Sequence, residues 1–214
     1  MNIATTAAPT SPIPARLAAL RAHMAKQGWH AVLVPSSDPH LSEYLPERWQ
    51  GRAHFSGFTG SSGTLLVSTE CAAVFTDSRY WTQAEAELAG TGVDLVKLDG
   101  AFNPACVEWL QALGLQGDEG GDWTLAADGA VMGLAQTQQL QSALKDAGWR
   151  LHTRDDVLQG AWPERPDLPT APVFEHLPPH AATSRADKLT HVRQALAERG
   201  ATQCLRSWFP QRAA

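Results

Sequence analysis

The chain has 214 residues, 43% of them hydrophobic and 18% charged, with a net charge of -5. That length holds one good core, or one domain and part of another, and the composition is ordinary for a globular protein in water. The 17 lysines and arginines are scattered, which leaves no basic footprint for nucleic acid, and no apolar run approaches the roughly 20 residues that span a membrane.

The opening "MNIATTAAPTSPIPARL" lacks the basic start and apolar stretch of a secretory signal, so residues 1–13 read as a flexible leader. Leu17, Leu20 and Met24 then recur at helical spacing from Pro14 to Gln27, and Gly28 stops the helix. "WHAVLVP" is a buried strand closed by Pro35. Asp38 as N-cap and Pro39 in the first turn predict a short helix in "DPHLSEYLPERW". "TLLVST" and "AAVFTD" form a hairpin. The helix "SRYWTQAEAELAG" follows, begun by Ser78 and ended by Gly90, and then the strand "VDLVKL". A helix from about Asn103 to Leu113, a strand at "DWTLAADG" and a helix from Met132 to Ala147 complete the alternation. The sum is an α/β domain over 14–160, a mixed sheet with flanking helices.

Composition then shifts. "WPERPDLPTAPVFEHLPPH" holds six of the 14 prolines, which resist helix and ladder alike, so 161–183 reads as an extended linker. A helix from Ser184 to Arg199 follows, and it resembles the first. Leu17 matches Leu189, Arg21 matches Arg193, Ala25 matches Ala197, Gly28 matches Gly200 and Leu33 matches Leu205. The expectation is a second copy of the opening unit over 184–214, left incomplete because one helix and half a strand bury too little surface for a domain.

The stretch "FSGFTGSSGT", Phe55 to Thr64, suggests a phosphate cradle or a nucleophile turn, and fits neither. No lysine follows Gly63, the segment leads into a strand, and "GSSG" is one residue short of a nucleophile elbow. It reads as a glycine-relieved bend. Asp38, His40 and Glu43 are explained more simply by helix capping than by metal binding, and Asp77 or Ser78 caps the helix that follows, with Arg79 free to pair with a carboxylate or face a partner. Trp29, Trp81 and Trp109 belong to the core, while Trp162 and Trp208 are interface candidates. The three cysteines, Cys71, Cys106 and Cys204, are odd in number and without CxxC spacing, which points to free thiols in a reducing cytoplasm.

Several pieces together resemble one family. Asp38, His40, "SEY" at 42–44, Arg52, "FSGFTGSSGT" at 55–64 and "TDSRYWTQA" at 76–84 closely resemble the creatinase-like N-terminal domain of Xaa-Pro aminopeptidases (aminopeptidase P). The resemblance implies a ribonuclease H-like α/β fold and a non-catalytic role, in which such domains help subunits associate and border the active-site entrance. It marks His40, Arg52, Asp77, Arg79 and Tyr80 as interface or entrance residues. The family's catalytic domain comes later, removes an N-terminal residue preceding proline, and binds two divalent metals, usually manganese. None of its motifs is present here, so no cofactor, metal ligand or catalytic residue is expected in this chain, nor activity alone. The expected partners are a second copy or a full-length relative, with no nucleic acid and no membrane. The alternatives are a stand-alone binding or assembly module, and an intact aminopeptidase interrupted by a frameshift or early stop near Ala201.

Overall fold

The computed structural model describes residues 11–113 and 123–204. The chain divides into two units, Met1–Asp167 and Leu168–Ala214. In the first, helix α1 (Ile13–Gln27) leads to strand β1 (Ala31–Pro35), a short 3-10 turn at Glu47–Trp49, helix α2 (Gly51–Ser56) and the hairpin β2 (Thr64–Ser68) and β3 (Ala72–Asp77). Helix α3 (Trp81–Leu88), strand β4 (Asp94–Leu98), helix α4 (Phe102–Ala112), strand β5 (Trp123–Ala127), helix α5 (Leu134–Asp146) and strand β6 (Trp149–His152) follow.

The six strands form one sheet in the order β4-β3-β2-β1-β5-β6. β2 runs antiparallel to both neighbours, and the other pairs are parallel. Because side chains alternate across a strand, register decides what each face buries. Val34 stands beside Leu65, Leu65 beside Val74, and Val32 beside Ala126. These residues, with Val67 and Ala72, meet Leu17, Leu20 and Met24 of α1, Phe55 of α2 and Ala84 and Leu88 of α3 in one core layer. The alternate set, Leu33, Leu66, Ala73, Phe75, Leu125 and Ala127, meets Cys106 and Leu110 of α4 and Leu140 and Leu144 of α5 in the other. Helices on both faces explain why the strands read as near-continuous apolar runs. The expected mixed sheet with flanking helices is the observed fold.

Three local expectations fail. No helix begins at Asp38; its Oδ1 instead accepts the amide N–H of His40 and of Ser42, both at 2.9 Å, and Leu41 turns into the left-handed region at φ 54°. An Asx turn has captured the donors that a helix cap would serve. Neither Asp77 nor Ser78 caps α3, which starts behind Tyr80 with no side-chain cap. Trp162 is no interface residue: it is buried, its ring stacked on His54 at 3.9 Å and edge-on to Phe55 at 6.2 Å. Trp208 lies outside the described residues. Trp29 is buried, while Trp81 and Trp109 are half-buried, Trp81 donating its Nε1–H to the Thr76 carbonyl.

The segment around Trp162 is tied down as well. Arg165 donates to the Asp156 carboxylate at 2.5 Å and to the Arg48 carbonyl at 2.8 Å, and packing carries the first unit to Asp167, beyond the 160 read from composition. All three cysteines are free thiols, and burial pushes the Cys106 thiol up to about 12.

In the second unit, helix α6 (Arg185–Glu198) is capped by Ser184, whose Oγ accepts from the Asp187 amide at 3.1 Å. Leu189 and Val192 are 52% and 42% exposed, whereas the matching Leu17 and Leu20 of α1 are buried. The two helices end alike. Gly28 at φ 70° donates to Ala25 and Trp29 donates to Met24; Gly200 at φ 63° donates to Ala197 and Ala201 donates to Leu196. Among the described residues no helix is long and apolar enough to cross a membrane.

Candidate functional site

The marked residues come together at one end of the sheet. β1 and β3 finish there and the antiparallel β2 begins there, so three connections meet: Ser36–Gln50, Gly57–Gly63 and Asp77–Tyr80. In open α/β sheets, ligands bind outside the carboxyl ends of the parallel strands.

Arg52 sits on the first turn of α2 and is buried. Its Nη1 donates to the Phe58 carbonyl at 3.3 Å, its Nη2 makes a short hydrogen bond to the Gly60 carbonyl, and its guanidinium lies 4.6 Å from the Phe58 ring centroid. Its Nε has no partner among the described residues. Burial lowers its pKa to about 10, opposed by Glu87 and Tyr80, so the group stays charged at neutral pH. Arg52 is therefore a clamp inside the glycine loop and not a surface contact.

The same loop is held from three other directions. The Glu87 carboxylate accepts from the Thr59 amide at 2.8 Å and the Thr59 hydroxyl at 2.7 Å, while Gln83 bridges the Thr59 hydroxyl and Glu87. Burial alone would raise the Glu87 pKa, but these donors and Arg52 hold it below its ordinary value. Ser61 and the Tyr80 hydroxyl stand 2.6 Å apart. The Ser36 hydroxyl donates to Gly63 at 2.7 Å, and that of Thr76 to Ser62 at 2.8 Å. At Gly60 even a Cβ would come within 2.4 Å of Phe58 and 2.7 Å of Tyr80. Gly60 is the position that admits the close approach of both rings.

Asp77 and Arg79 form a two-pronged pair, Nε to Oδ1 and Nη2 to Oδ2, each at 2.8 Å. The Arg79 hydrogen bonds hold the Asp77 carboxyl well below the usual carboxylate range, and Asp77 raises Arg79 in turn. Arg79 is 69% exposed. His40 stands exposed on the turn organised by Asp38. Burial would raise the Asp38 pKa, but the Ser42 and His40 donors hold it below its ordinary value. His40 and Arg79 thus stand on the surface, Asp77 and Tyr80 are half-buried beside the loop, and Arg52 lies beneath it.

A cleft of about 620 Å³ opens at this end between the strand termini and the starts of α4 and α5, lined on one side by Ser36, Ser62 and Asp77 and on the other by Asn103, Gln136 and Gln139. A second hollow of about 230 Å³ lies against Arg52, Trp49 and Tyr44, and the two meet along Pro35, Ser36 and Ser61. Sequence reasoning missed the Glu87 and Gln83 braces and the three carboxamides, because each lies in another helix with no local motif to mark it. Among the described residues no group of three or more His, Cys, Asp or Glu side chains is placed to hold a metal ion.

Fold and loops together define a mixed α/β domain in which the glycine motif is architecture. The chain belongs to the creatinase/prolidase N-terminal domain family, whose pattern matches residues 16–155. It is 33% identical over 180 residues to Xaa-Pro aminopeptidase 2 of Rattus norvegicus, covering 83% of this chain and 26% of that protein. Against a probable Xaa-Pro aminopeptidase P of Podospora anserina it is 33% identical over 184 residues, again covering 26% of the relative. The chain therefore spans about a quarter of the length of these curated relatives. Among solved structures it resembles the X-prolyl aminopeptidase of Caenorhabditis elegans, described as a cytosolic enzyme with a di-nuclear active site, with a TM-score of 0.69, 24% identity, and coverage of 88% of this chain and 31% of that one. It also resembles the N-terminal domain of the cytoplasmic peptidase PepQ from Mycobacterium tuberculosis H37Rv, with a TM-score of 0.52, 24% identity, and coverage of 69% of this chain and 98% of that one. At these identities the structural likenesses concern the fold.

Proposed function

We propose that this chain is the non-catalytic N-terminal portion of a cytoplasmic Xaa-Pro aminopeptidase, whose parent removes an N-terminal residue preceding proline. Its part is to border the active-site entrance and to help subunits associate. The parent's two divalent metals, manganese by expectation, belong to a domain outside the sequence described. One observation carries the reading: the segments that mark the family converge on a single end of the sheet, where the loop is fixed from every side and His40 and Arg79 are left facing outward. A pre-set rim of this kind suits a surface that shapes an opening, because little ordering entropy is spent on contact.

The second unit is read as the opening of another copy of the same fold. In support, α6 shares the glycine-ended geometry of α1 and leaves Leu189 and Val192 uncovered where α1 buries Leu17 and Leu20.

The purified 214-residue protein, given manganese and an Xaa-Pro peptide, is expected to release no N-terminal residue. Metal-dependent release would overturn the non-catalytic reading. Light scattering of the protein, alone and mixed with a full-length relative, tests association; a strict monomer with no uptake would end that part of the proposal.

A further inference from the structure

Among the described residues, six of the nine large apolar side chains left exposed belong to the second unit, Leu189 and Val192 of α6 with them. An uncovered apolar stripe of this kind marks a surface that takes a partner. Leu189, Val192 and Leu196 stand at i, i+3 and i+7, the spacing of a helix that lies in a groove. The helix is set before a partner arrives. The Ser184 hydroxyl accepts from the Asp187 amide and stands 2.7 Å from the Asp187 carboxylate, to which it donates.

The cations along α6 and at its end divide in two. Arg185 pairs with Glu175 at 3.0 Å, and Arg199 donates to the Ala195 carbonyl at 3.0 Å. The side chains of Lys188 and Arg193 have no partner among the described residues.

α1 shows what such a set of side chains does. In the register that matches Gly28 with Gly200, Leu17, Leu20 and Met24 hold the places of Leu189, Val192 and Leu196, and Arg16 and Arg21 those of Lys188 and Arg193. The three apolar residues of α1 pack in one layer with Phe55 of α2 and with Leu65 and Val67 of β2. Arg16 donates to the His54 carbonyl at 2.9 Å, in the last turn of α2. Arg21 donates to the Ser68 and Glu70 carbonyls of the hairpin turn, at 3.0 and 3.1 Å. α6 thus carries the apolar stripe and both cations of α1, and the stripe and both cations are uncommitted.

We propose that α6 docks onto a separate polypeptide that presents an α1-type surface. That surface is an open sheet face beside a short helix, with backbone carbonyls from the helix end and a hairpin turn placed for Lys188 and Arg193. The proposal deepens the repeat reading given above and rests on it. Charge complementarity favours this occupant over a second α6, whose backbone carbonyls are taken up within its own helix. In a second copy of this chain the α1-type surface is already filled by α1.

The first test is a chimera of the 214-residue protein in which Arg16–Gly28 is replaced by the sequence of Lys188–Gly200. It is expected to unfold in one cooperative step, with a melting temperature lowered by no more than about 10 °C. The same chimera with aspartate in the places of Leu189 and Val192 should show no cooperative step. If the chimera does not fold, even with His23 kept, the repeat reading falls and the proposal falls with it.

The second test is capture by a separate chain. A protease site inserted at the exposed Gly28 allows α1 to be cut from an otherwise complete protein. That copy also carries Leu189→Asp and Val192→Asp, so its own α6 does not compete. Mixed with an excess of uncut protein, it is expected to form a one-to-one complex by light scattering and to release the α1 peptide. The expected dissociation constant is on the order of 100 μM or tighter. Leu189→Asp with Val192→Asp in the uncut chain should weaken the complex at least tenfold, and Lys188→Ala with Arg193→Ala roughly threefold or more. No complex up to about 1 mM would overturn docking, and beside a folded chimera would leave the repeat reading standing. A dimer of the uncut protein that the Leu189 and Val192 substitutions dissolve would also overturn it, since α6 would then be covered by a second copy.

Discussion

Arg52 is the residue on which the loop depends. It neutralises two backbone carbonyls that β2 cannot reach, and only a planar fork serves both at once. Arg52→Met is expected to lower stability by about 2 kcal/mol, read as a shift in the urea midpoint with an unchanged slope. Arg52→Lys should recover little of that loss; full recovery would show that charge alone suffices. Gly60→Ala should cost about 1–3 kcal/mol, because the new methyl group meets two aromatic rings. His54 makes a pH prediction. Burial first, and Arg16 second, lower its pKa from the ordinary 6.5 to about 4. The unfolded chain therefore binds a proton that the folded chain refuses. Stability is full above pH 6.5 and falls as pH drops towards 4. In His54→Gln the unfolding midpoint should be flatter over that window. An unchanged slope would show that His54 titrates normally on Trp162.

At the scale of elements, what the sequence made legible was whatever carried its own periodicity or its own stop. α1 has four buried residues on one stripe and a glycine end, and the β2–β3 hairpin has two apolar runs around a short turn. β6 did not show itself: Trp149 to His152 is four residues long, includes an arginine and a histidine, and is a strand because β5 offers it a ladder. α2 was hidden because it is only six residues long and runs into the glycine motif, where it ends at Gly57 with φ 82°. Asp38 misled because one carboxylate can serve a helix start or an Asx turn, and Leu41 decides between them. Of the candidate site, residue identity was legible and burial was not: nothing local distinguishes a surface arginine from Arg52. α6 has no core of its own, so Leu189→Asp with Val192→Asp should leave the melting temperature of the first unit unchanged. A fall of several degrees would assign those side chains a structural role.

For the whole molecule, both core layers draw, among the described residues, only on those from Ile13 to Trp162. The first unit therefore carries its own stability. A protein ending at Asp167 is expected to unfold in one cooperative step at the temperature of the full chain, followed by circular dichroism. Limited trypsin digestion should cut among the exposed arginines and lysines of α6 well before it reaches the sheet. Loss of cooperativity in the shortened protein would show that the division after Asp167 is not a folding boundary.

The single antiparallel strand has a practical consequence. By running backwards, β2 sends its turn with β3 to the far end of the sheet, at Thr69–Cys71, where Arg21 bonds the Ser68 and Glu70 carbonyls. That turn lies at the opposite end of the sheet from the glycine loop. A dye, an affinity tag or an extra stretch of chain placed there should sacrifice the arginine contact and nothing at the opposite end. It is the natural handle for watching this protein without touching the loops at the other end.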